Sequence, residues 1–429
     1  MPVQLHRLAN GLRVVTLEAH ATPIAVVQIW YHVGSKDEVP GKTGLAHLLE
    51  HSMFNGTRRH GPGEHSRLVA RAGGDDNAFT SFDYTAYFEK LPAARLDLGL
   101  ELEADRMRNL LLGPEEFARE RRVVQEERRM RTEDDPESAL VEQVRAASFL
   151  AHPYGQPVIG WMGDIAGLTV ADLRAFYDRY YRPDNAVLVV VGDFRTADLL
   201  ARVERAFGAI HTPPTPRRRR FHEPEQRGAR RVTLRRPAKL PFVYTAYHVP
   251  TFEAADGPAL EVAAQLLAGG KSGRLNRVVV EARRIALYAG AAYDGDAEDP
   301  ALFTVYAGVQ PDHTPEEAEA ALAEQVARLG REPVGARELA RAKTQLEAAF
   351  LFAQDSPFYL ATTLGRLYTT GRTVRDLEAY VPRVRAVTAA QVVEAAARYL
   401  RPERCTTGVL LPEAGAAPPP APPAGGPVR

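Results

Sequence analysis

Two histidines and one glutamate stand close together in the stretch GLAHLLEHSMFNGT, residues 44–57. If this stretch is a helix, His47 and His51 are four residues apart and project from one face, with Glu50 on the same flank. Two imidazoles at this spacing place ring nitrogens close enough for one zinc ion. Glu50 would then lie beside a water molecule bound to the metal. Zinc lowers the pKa of such a water to about 7, and Glu50 would accept the proton that the water releases. The alternative is a helix that merely carries exposed polar residues.

A third ligand is required, because a catalytic zinc site normally has three protein ligands. The segment PEEFARERRVVQEERRMR supplies Glu120 and Glu127, two helical turns apart. They share a stripe with the apolar Phe117 and Val124, where a carboxylate is costly to bury without a partner. A zinc ligand at Glu127, with Glu120 as a supporting or substitute ligand, would answer that cost, and salt bridges to the local arginines would do so equally. Glu126 is a rival ligand but lies about 100° around the helix from Glu127.

Composition places the chain among globular proteins. Its 429 residues exceed the usual size of one hydrophobic core and predict two domains of about 200 residues each. Lys plus Arg equals Asp plus Glu, at 54 each, so the charge balance does not support a nucleic-acid or membrane-surface role. The single cysteine, Cys405, excludes an intrachain disulfide framework and fits a reducing compartment. The first residues lack the basic start and following apolar segment of a secretory signal peptide, so we expect a cytoplasmic location.

Two segments of the chain resemble each other. LTVADLRAFYDRYYRPDNAVLVVVGDF, residues 168–194, and VTAAQVVEAAARYLRPERCTTGVLLPE, residues 387–413, each predict a capped amphipathic helix, a proline break and a strand. The chain is therefore predicted to be a duplicated unit. Strand-like runs such as LRVVTLEA combine with helical patterns over residues 93–131 and 141–149, which favours an α+β fold with a largely antiparallel sheet.

The duplication sets the predicted domain boundaries. We predict an N-terminal domain with the zinc site over residues 1–211 and a C-terminal domain without a metal site over residues 232–413. Residues 212–231, rich in proline and arginine, are predicted to form a solvated linker. Residues 414–429 consist largely of Pro, Ala and Gly and are predicted to form a disordered tail.

These motifs resemble the M16 family of zinc peptidases, the pitrilysin, insulin-degrading and mitochondrial-processing type that is often called inverzincin. The family pattern is present, in order, as LANGLRVV, HVGSKDE, GLAHLLEHSMFNGT, GGDDNAFTSFDYTAYF and ERRVVQEER. The resemblance implies the LuxS/MPP-like metallohydrolase fold in its short two-domain form. It also implies that His47, His51 and Glu127 bind one Zn²⁺ ion. Glu50 would be the catalytic base, and Glu120 matches an additional glutamate that supports the metal ligands.

The stretch GGDDNAFTSFDYTAYF, residues 73–88, supplies the substrate side of the resemblance. From Ala78 onward its alternation predicts a strand. In the family this strand is a sheet edge near the metal, to which an extended peptide adds as a further strand. Asn77 and Ala78 match the family's substrate-contacting positions. Without the family, the stretch would be an ordinary hairpin strand.

The second half of the chain lacks a copy of the zinc motif. Leu260, Ala263 and Ala264 stand opposite the two histidines and the glutamate, so we expect one zinc ion per chain. The residues at 270–272, Gly-Lys-Ser, mimic the end of a phosphate-binding loop. Gln265 stands where that loop requires its first glycine, and we therefore reject a nucleotide site.

The family also uses an arginine and, seven residues later, a tyrosine to hold the substrate. Tyr288 matches the tyrosine, but Glu281 occupies the arginine position. Compensation by Arg283 or Arg284 is the alternative, although both differ from position 281 in helical phase. In some pairs of short members, one chain carries the metal and its partner carries the arginine and tyrosine. The resemblance therefore implies a heterodimer with a related, metal-free M16 subunit, with a homodimer as the alternative.

Together these features predict a zinc-dependent metalloendopeptidase that cleaves unstructured peptides as the metal-bearing subunit of a dimer. The rival is a non-catalytic structural or core subunit of a larger complex, a role that some family members have. Such members commonly lose a metal ligand or the catalytic base, whereas this chain retains all three predicted ligands and Glu50.

Overall fold

The structure is a computed structural model that describes residues 1–413. The tail predicted over residues 414–429 lies outside the described residues. The strands are β1 (Gln4–Arg7), β2 (Arg13–Glu18), β3 (Ile24–Tyr31), β4 (Asp75–Thr80), β5 (Thr85–Pro92), β6 (Ala186–Gly192), β7 (Arg230–Arg236), β8 (Phe242–Val249), β9 (Ala286–Tyr293), β10 (Ala301–Val309) and β11 (Cys405–Pro412).

Fourteen α-helices connect and cover these strands within the described residues. They are α1 (Leu45–Ser52), α2 (Glu64–Arg71), α3 (Leu96–Asn109), α4 (Pro114–Arg128), α5 (Pro136–Ser148), α6 (Met162–Gly167), α7 (Val170–Tyr180), α8 (Thr196–Phe207), α9 (Gly257–Ala268), α10 (Pro315–Leu329), α11 (Ala336–Ala353), α12 (Pro357–Thr369), α13 (Val374–Ala386) and α14 (Ala389–Tyr399). No helix in residues 1–413 is both long and apolar enough to cross a membrane.

The strands form two sheets of the same topology. The first has the order β1-β2-β6-β3-β5-β4, and the second has the order β7-β11-β8-β10-β9. When the additional edge strand β1 is set aside, replacing β2 to β6 in turn by β7 to β11 converts the first order into the second, as the predicted duplication requires. Neighbouring strands are antiparallel except for the pairs β2–β6 and β7–β11. The predicted α+β fold with mainly antiparallel sheets is confirmed.

The repeated helix-proline-strand segment is also present in both halves. The Thr169 hydroxyl caps α7 in a box with Asp172, and the Thr388 hydroxyl caps α14 in the same way with Gln391. Each cap satisfies amide groups that the first helical turn leaves without intrahelical partners. The strand that follows α7, β6, is buried along its whole length, because its uninterrupted apolar residues face helices on both sides of the first sheet.

Local breaks differ from the sequence predictions in two places. The helix predicted over residues 93–131 is two helices, because α3 ends at Asn109 and Gly-Pro at 113–114 starts α4. The strand predicted from Ala78 ends at Thr80, where a turn leads into β5. β4 and β5 thus form a hairpin, and β4 is the edge strand of the first sheet, as the family resemblance implied.

Two compact units share the chain. Unit 1 contains residues 1–126, 156–222 and 347–383, and unit 2 contains residues 127–155, 223–346 and the described residues from 384 onward. Each unit therefore includes a piece of the opposite sequence half. The predicted domain boundaries stay a prediction, because they mark the two sequence repeats, whereas these units are sets of residues that pack together.

The exchanged pieces are helices that cover one face of a sheet. α12, from the second half, packs on the first sheet, where a Cβ at Gly365 would lie 2.1 Å from the Trp30 indole nitrogen. α5, from the first half, packs on the second sheet, where a Cβ at Gly408 would lie 2.3 Å from a methyl of Val144. Glycine is required at both positions because helix and sheet approach so closely. The other face of the first sheet packs against α1, α3, α7 and α8.

Four ionisable side chains form a buried cluster beside β5, which we call the Arg106 cluster: Glu89, Glu103, Arg106 and His65. The Arg106 guanidinium donates to Glu103 at 2.7 Å and to Glu89 at 3.2 Å. His65 Nε2 lies 3.0 Å from the Glu89 carboxylate. Burial raises the pKa of Glu89 to about 7 and that of Glu103 to about 8, although Arg106 opposes both shifts. Burial also lowers the pKa of His65 to about 3, so its ring is neutral.

The Arg106 cluster connects α1 to the sheet. The guanidinium of Arg106 lies 5.2 Å from the ring centroid of Phe54, which follows α1, and 4.5 Å from that of Tyr87 on β5. These cation–π contacts are desolvated and therefore stronger than exposed ones. The C-terminal end of α1 is thus held against the strand that pairs with the sheet edge.

We expect the free energy of unfolding to fall as the pH rises from 6.5 to about 8, the range that contains the raised pKa values of Glu89 and Glu103. A carboxyl group with a raised pKa binds its proton more tightly in the folded chain, so stabilisation is lost as the pH passes that pKa. His65 opposes this fall near pH 6.5, because it is half-protonated in the unfolded chain and neutral in the folded one. This contribution is present in both the wild type and Glu89→Gln, so it cancels from their comparison. Denaturant unfolding at fixed zinc concentration measures the decrease in the free energy of unfolding between pH 6.5 and 8. This decrease should be smaller in Glu89→Gln than in the wild type, by on the order of 1 kcal/mol.

The control for this experiment is Glu101→Gln, at an exposed position of α3, the helix that carries Glu103 and Arg106. It should keep the pH dependence of the wild type. Parallel stability curves for the wild type and Glu89→Gln would contradict the assignment of the pH dependence to the Arg106 cluster.

Candidate metal centre

The predicted helix in the opening motif is α1. Its leucines at 45, 48 and 49 are buried in the core of unit 1, which leaves His47, Glu50 and His51 half-buried on the opposite flank. The two imidazole rings have centroids 4.8 Å apart and planes inclined at 72°. The apolar face of α1 therefore fixes the direction in which both histidines project.

A buried glutamate that sequence analysis missed positions the start of α1. The carboxylate of Glu38 accepts hydrogen bonds from the amides of Gly44 at 2.9 Å and Ala46 at 2.7 Å. Burial raises the pKa of Glu38 well above its usual value, and these two amide hydrogen bonds oppose the rise. The residue before the helix is Gly44 in the left-handed region, at φ 90°, and it carries no side-chain cap. A glycine at this position cannot cap the helix with a side chain. The sequence therefore indicated that a residue elsewhere must accept hydrogen bonds from the first amides of α1.

The third predicted ligand lies in the last turn of α4, a helix that is continuous from Pro114 to Arg128. One ligand atom each from His47, His51 and Glu127 can be chosen so that all three lie within 4.8 Å of one another. Tetrahedral zinc with bonds of about 2.1 Å requires a spacing of about 3.4 Å. The three side chains are therefore close to the arrangement that one ion needs. Glu126 is exposed, as its different helical phase predicts.

Glu127 also makes the contact that the salt-bridge alternative requires. Its carboxylate lies 2.9 Å from the guanidinium of Arg131, one turn later. The Arg131 side chain is 74% exposed, and exposed pairs of this kind contribute little free energy. A divalent ion held also by two imidazoles would be the stronger partner of the carboxylate.

Glu120 lies beside the candidate ligands. One of its carboxylate oxygens is 3.8 Å from Nδ1 of His51, and the other is 3.3 Å from Nε of Arg119. Burial raises the pKa of Glu120, but His51 and Arg119 outweigh this effect and the net pKa is lowered. The ionised carboxylate is suited to orienting the ring of His51, as carboxylates near metal-bound histidines do.

Glu50 contacts the sheet edge directly. The hydroxyl of Thr80, the last residue of β4, donates to its carboxylate. Asn77 and Ala78 lie earlier on the same strand, opposite Phe88 and Tyr87 of β5. Among the described residues β4 pairs with β5 alone, so its other backbone edge faces outward. Such an edge can accept an extended peptide as a further strand.

Tyr288, the predicted substrate-contacting tyrosine, belongs to unit 2. It lies on β9, the edge strand of the second sheet, and its hydroxyl donates to the Glu137 carboxylate at 2.6 Å. The Arg283 guanidinium donates to Glu324 at 2.7 Å and 2.9 Å, and Glu281 accepts from Asn276 at 2.8 Å. The arginine position of the family motif therefore carries a glutamate, and a neighbouring arginine is already bound to a carboxylate.

The region aligned with the zinc motif in the second half is α9. Leu260 and Ala263 are buried in its apolar face, and neither can ligate a metal. Within residues 1–413, His47, His51 and Glu127 are the group of three close metal-ligating side chains that the structure contains.

Comparison with known proteins places these observations in a family. A family model described as insulinase (peptidase family M16) matches residues 13–161, and one described as peptidase M16 inactive domain matches residues 167–346. The zinc protease PqqE of Helicobacter pylori is 33% identical over 412 residues, covering 94% of this chain and 92% of that protein. An uncharacterized zinc protease of Mycobacterium tuberculosis is also 33% identical, with the same coverage of 94% and 92%.

Solved structures agree with this placement. A protease from Helicobacter pylori superposes with a TM-score of 0.92 and 32% identity, covering 96% of this chain and 99% of that one. A protein from Pseudomonas fluorescens, described as a peptidase M16 inactive domain, superposes with a TM-score of 0.88 at 19% identity, covering 97% and 100% of the two chains, which supports the fold alone. The resemblance drawn from the sequence motifs is confirmed: the chain belongs to peptidase family M16.

Proposed function

We propose that this chain is a zinc-dependent metalloendopeptidase that cleaves unstructured peptides. The observation that carries the proposal is the convergence of His47, His51 and Glu127 within 4.8 Å, with Glu50 on the same helix as both histidines. Its relatives in Helicobacter and Mycobacterium are named zinc proteases, which supports the same class of chemistry.

The donor set fits zinc. Two imidazole nitrogens and one carboxylate oxygen are the ligands found in catalytic zinc sites that keep one position for water or substrate. The three residues are half-buried, so the site is partly shielded from solvent and still accessible to a substrate. Glu120 beside His51 supplies the supporting carboxylate that such sites commonly have.

The chain's own residues account for the remaining chemistry. A zinc ion in this site supplies Lewis-acid polarisation of the scissile carbonyl and acidifies water. Glu50 accepts the proton of the attacking water at its carboxylate and later delivers it to the leaving amine. Thr80 donates to that carboxylate and so keeps it directed toward the sheet edge. The open edge of β4, near Asn77 and Ala78, aligns an extended peptide through main-chain hydrogen bonds.

Substrate selection follows from the edge strand. A peptide can add to β4 only if its own backbone groups are not engaged in other secondary structure. Unstructured peptides are therefore the substrate class that this geometry favours. Folded proteins would have to expose an extended segment first, and we expect them to be poor substrates.

We further propose that the chain acts as the metal-bearing subunit of a heterodimer with a related M16 subunit that supplies an arginine and a tyrosine. The glutamate at position 281 supports this proposal, because the position that the family uses for the arginine carries a negative charge in this chain. A homodimer that uses Tyr288 is the alternative.

Zinc binding should depend on Glu127 and not on its neighbour. In Glu127→Gln we expect the zinc affinity to fall by more than about 100-fold, since losing even a supporting residue costs 10–100-fold. Glu126→Gln, one residue away and exposed, is the matched control and should bind zinc like the wild type. Metal analysis after dialysis and competition with a chelating dye measure both variants. Equal zinc affinity in Glu127→Gln and the wild type would favour the salt bridge with Arg131 instead.

Peptide cleavage should depend on Glu50. In Glu50→Gln we expect one bound zinc ion per chain and a rate about 10²–10⁴-fold lower on an unstructured fluorogenic peptide, because the amide cannot accept the proton. Glu126→Gln again serves as the control. An undiminished rate would exclude Glu50 as the base.

The assembly is tested by mixing. We expect peptide turnover to rise when the chain is combined with a related M16 subunit that lacks the His-x-x-Glu-His motif but carries the arginine and tyrosine. Full turnover by the chain alone, with a dimeric mass in solution, would favour the homodimer. A zinc-loaded chain that cleaves no peptide with or without such a partner would favour the non-catalytic core-subunit role.

A further inference from the structure

One arginine of the linker is not solvated. The sequence predicts a solvated run of four arginines at 217–220, and three of them are exposed. The side chain of Arg218, by contrast, is only 13% exposed and belongs to the packing of unit 1. A single largely buried side chain in an otherwise exposed arginine run requires specific partners.

The partners of Arg218 are a carboxylate, a backbone carbonyl and an imidazole ring, and we call Arg218, Asp37, Asp83 and His32 the Arg218 cluster. Its Nε and Nη2 donate to the two carboxylate oxygens of Asp37, at 2.8 Å and 2.6 Å. Nη2 also donates to the carbonyl oxygen of Asp83 at 3.2 Å, and Nη1 contacts the ring of His32. The Asp37 side chain is 4% exposed. Two parallel hydrogen bonds to a buried carboxylate match the planar guanidinium fork, which a lysine cannot reproduce.

These contacts join two loops of the first sheet. Asp37 lies in the turn after β3, and Asp83 lies at the tip of the β4–β5 hairpin. Lys36 in the same turn makes a buried ion pair with Asp83 at 2.7 Å. Arg218 and Lys36 thus supply two positive charges for the two buried carboxylates, and neither carboxylate is left uncompensated.

The two loops are also in close backbone contact. The amide of Ser35 donates to the Ser81 carbonyl at 3.1 Å, and the amide of Lys36 donates to the Phe82 carbonyl at 3.0 Å. A Cβ at Gly34 would lie 2.4 Å from the carbonyl oxygens of both Ser81 and Phe82. The hairpin tip therefore rests on a glycine, and Arg218 covers the same contact from the linker side.

The hairpin tip leads directly into the proposed active site. Thr80, the residue before the tip, hydrogen-bonds to Glu50, and Asn77 and Ala78 precede it on the edge strand. Displacement of the tip would move both the substrate-binding edge and the hydroxyl that orients the base. A misplacement of about 1 Å at such a position is enough to lower catalysis substantially.

We propose that Arg218 is a positioning residue: from the linker it fixes the tip of the β4–β5 hairpin, and so holds the edge strand and Thr80 in register with Glu50. The role of the edge strand rests on the proposed peptidase function. The Arg218 contact with the hairpin does not rest on it and is measurable without substrate.

The test compares Arg218→Gln with Arg219→Gln, because Arg218 is only partly exposed and the neighbouring Arg219 is exposed to solvent. Hydrogen exchange followed by mass spectrometry should show faster exchange at residues 80–85 in Arg218→Gln and wild-type exchange in Arg219→Gln. Bound zinc should be unchanged in both. The kcat/KM for an unstructured peptide should fall about 10- to 100-fold in Arg218→Gln alone.

Two further variants keep the test decisive. Arg218→Lys retains the charge but not the two parallel hydrogen bonds, so it should recover part of the lost kcat/KM and part of the protection. If Arg218→Gln fails to fold, Asp37→Asn weakens the same contact from the other side and should show the same faster exchange at residues 80–85.

The possible results separate this inference from the proposed function. Wild-type exchange at residues 80–85 in Arg218→Gln would overturn the positioning role. Loss of zinc with faster exchange throughout the chain in a variant that still folds would also overturn it. If the wild type cleaves no peptide, the proposed function fails, while the exchange data still decide whether Arg218 holds the hairpin.

Discussion

The hydrogen bonds from the first turn of α1 to the buried carboxylate of Glu38 are the interaction on which the candidate site depends. They fix where the helix begins, and the leucines of its inner face fix its rotation. Once start and rotation are set, the positions of His47, Glu50 and His51 follow from helical geometry. An uncapped start would leave buried amides unsatisfied at a cost of about 1–3 kcal/mol, and fraying there would misplace the ligands.

The other parts of the site are brought to this helix by separate structural devices. α4 presents Glu127 from its last turn, and the β4–β5 hairpin presents Thr80 and the open edge. The Arg106 cluster holds the C-terminal end of α1 against β5. The proposed metal ligands, base and substrate edge thus lie on regular elements, where positional precision is greater than on loops. The hairpin tip is the one loop among them, and the Arg218 cluster contacts it there.

The sequence was sufficient for the parts of this arrangement that have a local signal. The spacing of His47 and His51, the apolar stripe that includes Glu127 and the repeated helix-proline-strand segment each rest on periodicity within one element. Glu38 and Arg218 have no such signal, because their partners lie in other elements and depend on the folded chain. The break between α3 and α4 did have a signal, the Gly-Pro pair at 113–114, which the apolar periodicity on either side outweighed.

The helices α5 and α12 have a consequence for how the chain holds together. Each is thirteen residues long and begins with a proline after a side-chain cap. Each covers one face of the sheet formed by the opposite sequence half. Between two separate molecules, reciprocal exchange of one element is called domain swapping. Here the two repeats are joined in one chain, so the exchange is intramolecular and each helix is present at a high effective concentration near the sheet that it covers. Neither repeat is therefore a self-contained folding module. A protease cut in the linker would leave two fragments still interlocked through their exchanged helices.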